Sequence, residues 1–349
     1  MMFEKREKRC PFSFERIDRT PMKLENGCPF VHCKSFDCGK RIPVDFKKID
    51  FMPIVVIGSK GSGKSHFLSV LIHELNTIGK RFGFTADFCD DGISVREYNS
   101  RYATLYTRRE IIAGTKIGDV KNPIVMKIIF KRKSPNGKKS LYIGFYDVAG
   151  EDFAIRAKKE IFDLYPVLNY ATGYILLLDP LQIPDIHRHI KNLGAFYPQS
   201  QRLLNEVEVS TQAFDIFERL KLTLKDETLR RSFAVCFSKS DAIRNIMDGA
   251  DDECEFYIDD SHENGILDAQ CFARMDSAVK SWLKSNGAGE IVGAMESLTF
   301  MKCFFAVSAL GNIDKNDIRN IALPAPIRIA DPILWLLWQD DWLNAANIK

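Results

Sequence analysis

Long apolar runs are missing from this chain. The longest, such as Tyr174–Leu178 and Pro332–Trp338, fall far short of the ~20 residues a helix needs to cross a bilayer. The opening residues, Met1 to Arg9, hold no apolar stretch of the signal-peptide kind, so the expectation is a cytoplasmic protein without membrane attachment. Neither sign of charge dominates. The 49 Lys and Arg residues face 46 Asp and Glu, a net charge of +3, too small to argue by itself for nucleic acid or lipid. Histidine is scarce, and His66, His73, His187, His189 and His262 fall at no convincing metal-ligand spacing. Cysteines number nine, an odd count. Without an export signal they fit a reducing compartment better than a disulfide framework. What is present, 46% hydrophobic and 27% charged residues, is an ordinary globular composition with enough apolar mass for a sizeable core.

Glycine is of average abundance, yet three glycines crowd into Gly58-Ser59-Lys60-Gly61-Ser62-Gly63-Lys64-Ser65. This is a complete phosphate-binding loop, G-x-x-x-x-G-K-S. The run Phe51–Ile57 before it is short, β-branched and apolar, which predicts a buried strand. After it, Phe67, Leu68, Leu71, Ile72 and Leu75 recur at helical spacing. Strand, glycine loop and helix together let backbone amides and a helix N-terminus face phosphate oxygens. Lys64 is then expected to reach the β- and γ-phosphates, and the Ser65 hydroxyl to ligate Mg²⁺.

Three later strand ends add to this. Leu141–Tyr146 runs into Asp147-Val148-Ala149-Gly150. A carboxylate there can hold Mg²⁺ opposite Ser65, and the Gly150 amide can sense the γ-phosphate. Ser232–Phe237 runs into Ser238-Lys239-Ser240-Asp241, a variant of the guanine-reading N/T-K-x-D element. The carboxylate can accept from N1–H and the 2-amino group of guanine, which adenine lacks, and Lys239 would lay its methylenes along the base. Ser238 replaces the usual Asn or Thr and offers fewer hydrogen bonds; a strand-to-helix cap would also explain the tetrapeptide. Lys302–Val307 leads to Ser308-Ala309, whose amides would meet the guanine O6.

The order of these elements resembles the translation-factor-related (TRAFAC) class of P-loop GTPases over about residues 51–325. Phe145–Phe153, an N-terminal Cys-Pro-rich segment and the closing Asp331–Trp338 narrow the resemblance to bacterial double-GTPase-type proteins of multi-gene conflict and defence systems. The resemblance implies GTP/GDP as ligand with Mg²⁺, and a protein effector or activating partner. It also makes Lys64, Gly150 and Glu151 the catalytic set. Glu151 stands where many GTPases carry a water-orienting glutamine; a carboxylate beside the γ-phosphate is repelled by it, so slow, partner-dependent hydrolysis is expected. For the first-switch threonine, Thr115, Thr104 and Thr107 are candidates in a long, irregular region, roughly Arg81–Asn122.

Residues 1–48 form a Cys-rich segment in which Cys10, Cys28, Cys33 and Cys38 could hold structural Zn²⁺, His32 being able to replace one of them. The spacings are not the paired C-x₂-C of the strongest zinc motifs, and a metal-free segment stays open; a nucleic-acid-reading ribbon is disfavoured because its basic residues are interleaved with acids. The expected organisation is an α/β, mostly parallel sheet with helices on both faces over 49–325, an acidic insertion near 248–265, and a C-terminal apolar tail, 326–349, packed on the domain. Two rival functions remain open: an ATP-hydrolysing signalling protein, and a non-hydrolysing scaffold with bound nucleotide. Oligomeric state is not legible.

Overall fold

The computed structural model describes residues 8–17, 30–33, 38–59, 61–90, 92–112, 118, 120–156, 158–183, 185–186, 231–243, 265–311 and 323–346. Two short strands, β1 (Phe30–His32) and β2 (Arg41–Pro43), pair antiparallel. Next comes β3 (Asp50–Gly58). Its Ile54, Val55, Val56 and Ile57 are all buried, as suits β-branched side chains on a pleated surface. Pro53 lies ahead of the point where β3 begins to pair with β7, at Ile54, so its missing N–H interrupts no bond on that side. Helix α1 (Lys64–Phe82) buries Phe67, Leu68, Leu71, Ile72, Leu75 and Ile78, a 3–4 spacing that forms one apolar face.

Within 81–122 the described residues are more regular than their sequence suggests. They include β4 (Phe84–Phe88), α2 (Ile93–Arg101) and the one-turn α3 (Thr104–Thr107). Phe84 and Ala86 anchor the strand, and Tyr98, Tyr102 and Leu105 are buried at helical spacing. The chain continues through β5 (Ile124–Phe130), β6 (Ser140–Ala149), α4 (Gly150–Ile155), α5 (Lys158–Leu164) and β7 (Gly173–Leu178). After it come β8 (Ser232–Phe237), α6 (Ser240–Ile243), β9 (Leu267–Asp268), α7 (Ala269–Ser285), α8 (Gly289–Glu296), β10 (Met301–Ala306), α9 (Asp331–Gln339) and β11 (Ala345–Ala346).

Seven strands make one sheet in the order β10-β8-β7-β3-β6-β5-β4. The pairings from β10 across to β6 are parallel, and β5 and β4 add an antiparallel edge. Alternate residues of a strand face opposite sides of the sheet, yet every residue of β7 and β8 is buried, so both faces are covered. The α/β expectation therefore holds. Topologically, β3 is where the order reverses: β6 lies on one side of it and β7 on the other. Ligands in open α/β sheets bind at the carboxyl ends of strands at such a switch point.

Described segments near both ends of the chain, Pro11–Phe14 and α9, pack against the sheet domain. Phe14 stacks on Tyr170 and tilts against Tyr146, and the Tyr146 hydroxyl donates to Pro11 O at 2.6 Å. In α9, Trp335 meets Phe305 edge-on, and Trp338 stacks on Phe272.

Candidate functional site

The loop after β3 is built for a close approach of backbone to ligand. Gly61 and Gly63 have φ of 80° and 85°, left-handed values that residues with a Cβ rarely adopt. A Cβ on Gly58 would lie 2.5 Å from Ser62 Oγ and 2.7 Å from Leu177 O, so only glycine fits there. Helix α1 starts at Lys64 with no side chain capping it, and the amides of its first turn have no intrahelical acceptors. Ser62 Oγ is buried and without a hydrogen-bond partner among the described residues. Lys64 Nζ is folded back onto Gly58 O at 2.6 Å. An uncapped helix start, a glycine cradle and an unsatisfied buried hydroxyl fit a phosphate group.

Asp147 sits three residues before Gly150, near the end of β6 and in register with Val56 on β3; Ser65 is the second residue of α1. Both are buried, and both are the oxygen donors Mg²⁺ prefers. Gly150 is the first residue of α4, after the extended Ala149. Asp147 Oδ2 accepts from Lys121 Nζ at 2.5 Å and from the Tyr102 hydroxyl at 3.4 Å. Burial, and next the negative Asp147, push the Tyr102 hydroxyl well above the usual tyrosine pKa, so it stays a donor. A few residues on, Asp152 is fully buried and accepts from Tyr165 Oη at 2.6 Å and Arg156 Nε at 2.9 Å, which fixes the start of α4.

The two base-loop candidates meet. Ser308 Oγ donates to Asp241 Oδ1, and Gly311 N donates to Ser308 Oγ at 3.0 Å. Ser240 N donates to Val307 O at 3.2 Å, extending the β8–β10 pairing into both loops. Ser238 does not face outward; its hydroxyl donates to Leu178 O at 2.9 Å and locks the loop to the end of β7. Lys239 has a left-handed φ of 54°, a conformation costing on the order of 1 kcal/mol that tends to mark functional loops. Its Nζ lies 2.6 Å from Asp179 Oδ2. Burial raises the Asp241 carboxyl above the ordinary aspartate range, and the Ser308 hydrogen bond offsets part of that. Ala309 packs partly buried on the core. The chain that follows the base loop returns to it, with Ser308 and Ile327 exchanging backbone hydrogen bonds of 2.9 and 3.0 Å.

Sequence reasoning missed the residues that join these loops. Asp179 caps the turn after β7, accepting from Leu181 N at 3.0 Å, while also pairing with Lys239. Gln182, at the end of that turn, accepts from Ser59 Oγ at 2.7 Å. One short turn thus ties the candidate phosphate loop to the candidate base loop. The available signal was Asp179-Pro180 at the end of an apolar strand. Lys121 and Tyr102 carried no sequence signal. His66 also belongs here; its Nε2 accepts from Ile112 N at 3.2 Å, and burial, aided by Lys239, lowers its pKa to about 4.

Cys10, Cys33 and Cys38 converge, their sulfurs all lying within 4.8 Å of one another. Cys10 Sγ and Cys38 Sγ are 3.9 Å apart, close to the ~3.8 Å edge of a tetrahedron with Zn–S bonds of ~2.3 Å. Three thiols in this geometry fit a structural zinc ion. His32 is exposed and accepts from Arg41 Nε at 3.3 Å, turned to a different partner. Cys28, Lys60 and Thr115 lie outside the described residues, as does the side chain of Glu151 on α4 and all of the acidic insertion near 248–265 except Gly265. Thr107 is exposed and spends its hydroxyl on Ala103 O at 2.9 Å.

No protein-family model matches the chain. It is 23% identical over 321 residues to SaeC of Mycolicibacterium smegmatis, described as an ESX-1 scaffolding and assembly protein; the alignment covers 86% of this chain and 77% of that one. Among solved structures it is similar to the GTPase-like domain of S. cerevisiae Ski7 bound to GTP, with 14% identity and a TM-score of 0.36, over 85% of this chain and 51% of that one. The bacterial selenocysteine-specific elongation factor EF-Sec matches with 13% identity and a TM-score of 0.26, over 74% of this chain and 26% of that one. The signal recognition particle receptor SRb-GTP/SRX complex from Chaetomium thermophilum gives 10% identity and a TM-score of 0.31, over 83% and 99%. This chain therefore spans about half of the Ski7 chain and about a quarter of the elongation factor. All three TM-scores are too low to transfer a site by superposition.

Proposed function

We propose that this chain is a guanine-nucleotide-binding switch that hydrolyses GTP slowly. The observation that carries it is the direct Asp241–Ser308 contact, formed at strand ends that the Asp179–Gln182 turn ties to the phosphate loop. Lys64 would leave Gly58 O for phosphate oxygens, and the amides from Gly61 to Ser65 would line the same cradle, together with Ser59, Lys60 and Ser62. Ser65 and Asp147 are the donors that would hold Mg²⁺, which when bound offsets phosphate charge and orients the terminal phosphoryl group. The Gly150 amide, at the start of α4, would report the γ-phosphate, so that α4 orders or relaxes with nucleotide state. Asp241 would accept from the guanine N1–H and 2-amino group, with the Ser308-Ala309 amides at O6. Glu151 in place of a neutral glutamine makes the expected hydrolysis slow and partner-dependent.

Zinc at Cys10, Cys33 and Cys38, with Cys28 as the fourth ligand, would staple the N-terminal hairpin. No described helix is long and apolar enough to cross a membrane, and the partners proposed are GTP and a protein effector. A setting in a bacterial conflict or defence system rests on the sequence resemblance alone.

The test is binding of labelled GTP, GDP and ATP with Mg²⁺ to wild type and Asp241→Ala. A guanine preference that drops by roughly a hundredfold or more in the variant is the expected result. Equal ATP binding, unchanged by the substitution, would make Ser238–Asp241 a helix cap and the protein an ATPase. The likeness to SaeC favours a second reading, a scaffold that holds nucleotide without turning it over. Bound GTP that persists unchanged for hours in the presence of Mg²⁺ would select it.

A further inference from the structure

The carboxylate proposed to hold Mg²⁺ already carries a cation. Lys121 Nζ lies 2.5 Å from Asp147 Oδ2, with the two side chains 7% and 2% exposed, and Nζ sits 6.0 Å from the centroid of the Tyr102 ring. Lys121 lies in the stretch between α3 and β5, where a GTPase-like order of elements would place the first switch. Its neighbour is held from the opposite side: Lys40 Nζ donates to Asn122 Oδ1, and Asn122 Nδ2 donates to Glu97 at 3.3 Å. Residues 121 and 122 are thereby clamped between the nucleotide-site carboxylate and the Cys-rich hairpin. Desolvating both an ammonium and a carboxylate recovers little net stability against an apolar alternative, so the pair is better explained by what it does than by what it stabilises.

We propose that Lys121 is an internal counter-ion that holds the Mg²⁺ place on Asp147 in the metal-free protein and must withdraw for the metal-loaded nucleotide to seat. The proposal rests on the guanine-nucleotide reading above. An ammonium in contact with Asp147 and a divalent ion at the same carboxylate repel each other, and both need that carboxylate's charge. Binding of Mg²⁺ is therefore an exchange. Its apparent affinity is reduced by the fraction of molecules in which Lys121 has already withdrawn, so a state populated at about 10% weakens it about tenfold. Because Asn122 is tied to Lys40, withdrawal pulls on the hairpin as well, which makes the Cys-rich segment the element that senses metal loading.

The experiment is a Mg²⁺ titration of fluorescent GDP binding in wild type, Lys121→Met and Lys121→Gln. The Mg²⁺ concentration giving half-maximal tightening is expected to fall about tenfold or more in both variants. An unchanged midpoint overturns the proposal, and so does a raised one, which would make Lys121 an aid to the metal rather than its competitor. GDP binding with an unchanged midpoint removes only the role of Lys121, whereas absence of GDP binding by wild type removes the nucleotide reading along with it. Asn122→Ala loosens the clamp without touching the ion pair and should shift the midpoint in the same direction. It decides the matter if neither Lys121 variant folds, an unchanged midpoint there counting against the exchange.

Discussion

Asp241 is half-buried by the fold and given the Ser308 hydroxyl as a partner. Burial raises its pKa above the ordinary aspartate range, and the sign of the consequence follows directly. The folded protein holds a proton on Asp241 at pH values where the unfolded chain has released it, so this residue costs stability at neutral pH and the cost shrinks as pH falls through the raised value. The proposed guanine recognition runs the other way, because only the ionised carboxylate would accept from both guanine donors. GDP affinity should be full above the raised pKa of the free protein and fall by about tenfold for each pH unit below it. Calorimetric titration from neutral pH down to the ordinary aspartate pKa of about 3.9 checks this. Affinity that stays level throughout would mean that Asp241 does not read the base. At Lys239 a left-handed backbone accompanies a side chain paired with Asp179, so one loop residue serves the neighbouring turn as well as the proposed base pocket.

The Cys-rich hairpin is the least self-sufficient element. Strands β1 and β2 have three residues each, and Cys10 and Ile42 are the buried residues of its own small cluster. A two-stranded hairpin of that size is marginal in water without something to brace it. Its external braces are specific: Lys8 pairs with Asp50 at 2.9 Å, and Arg9 lies 4.3 Å above the Tyr170 ring. Three converging thiols would add a further brace if they hold a metal. Protein purified without chelator should carry about one zinc per chain, the stoichiometry of a closed structural site. Cys38→Ser should lose most of it and become sensitive to protease near residue 38 before the sheet unfolds. Near-zero metal in the wild type would overturn the zinc staple and leave the segment held by its hydrogen bonds, ion pair and ring contacts to the sheet domain. The sequence made the cysteines visible but not their partners, since uneven spacing along the chain says little about which sulfurs meet.

Across the whole molecule, α9 closes the fold near β7 and β8. Leu336 is fully buried, and its Cδ1 would lie 3.4 Å from a Cβ placed on Gly173 at the start of β7. Trp335 and Trp338 engage rings from β10 and α7. The buried Arg328–Asp331 pair, 2.6 Å apart, sets the helix start, one residue past the Ile327 that hydrogen-bonds the base loop. Leu336→Ala should therefore destabilise the protein by about 2–5 kcal/mol, read as a lower urea midpoint with an unchanged slope. GTP and Mg²⁺ should recover part of that loss, because binding to the folded state alone stabilises it. A loss below ~1 kcal/mol would mean that α9 is peripheral to the cooperative unit.

What was legible along the chain was local: strands, the helix after the glycine loop, and candidate motifs at strand ends. A phosphate-loop pattern lies in eight adjacent residues; a parallel strand buried on both faces is a short apolar run, and Phe51–Ile57, Tyr174–Leu178 and Ser232–Phe237 were legible on that ground. The order of strand-end motifs along the chain was legible too, because each motif lies just after its own strand. Tertiary structure decided everything that depends on residues far apart in sequence meeting in space. Ser59 reaches Gln182 across 123 positions, Lys239 reaches Asp179 across 60, and Ser308 reaches Asp241 across 67. The region 81–122 read as irregular because its strand and helices are short, polar on their outer sides, and held by packing more than by their own periodicity. Lys121 was invisible for the plainest physical reason: a lone lysine in a polar stretch has the sequence signature of a solvated side chain. Only the fold, by burying it 2.5 Å from Asp147, turns it into a charge placed where the proposed metal must go.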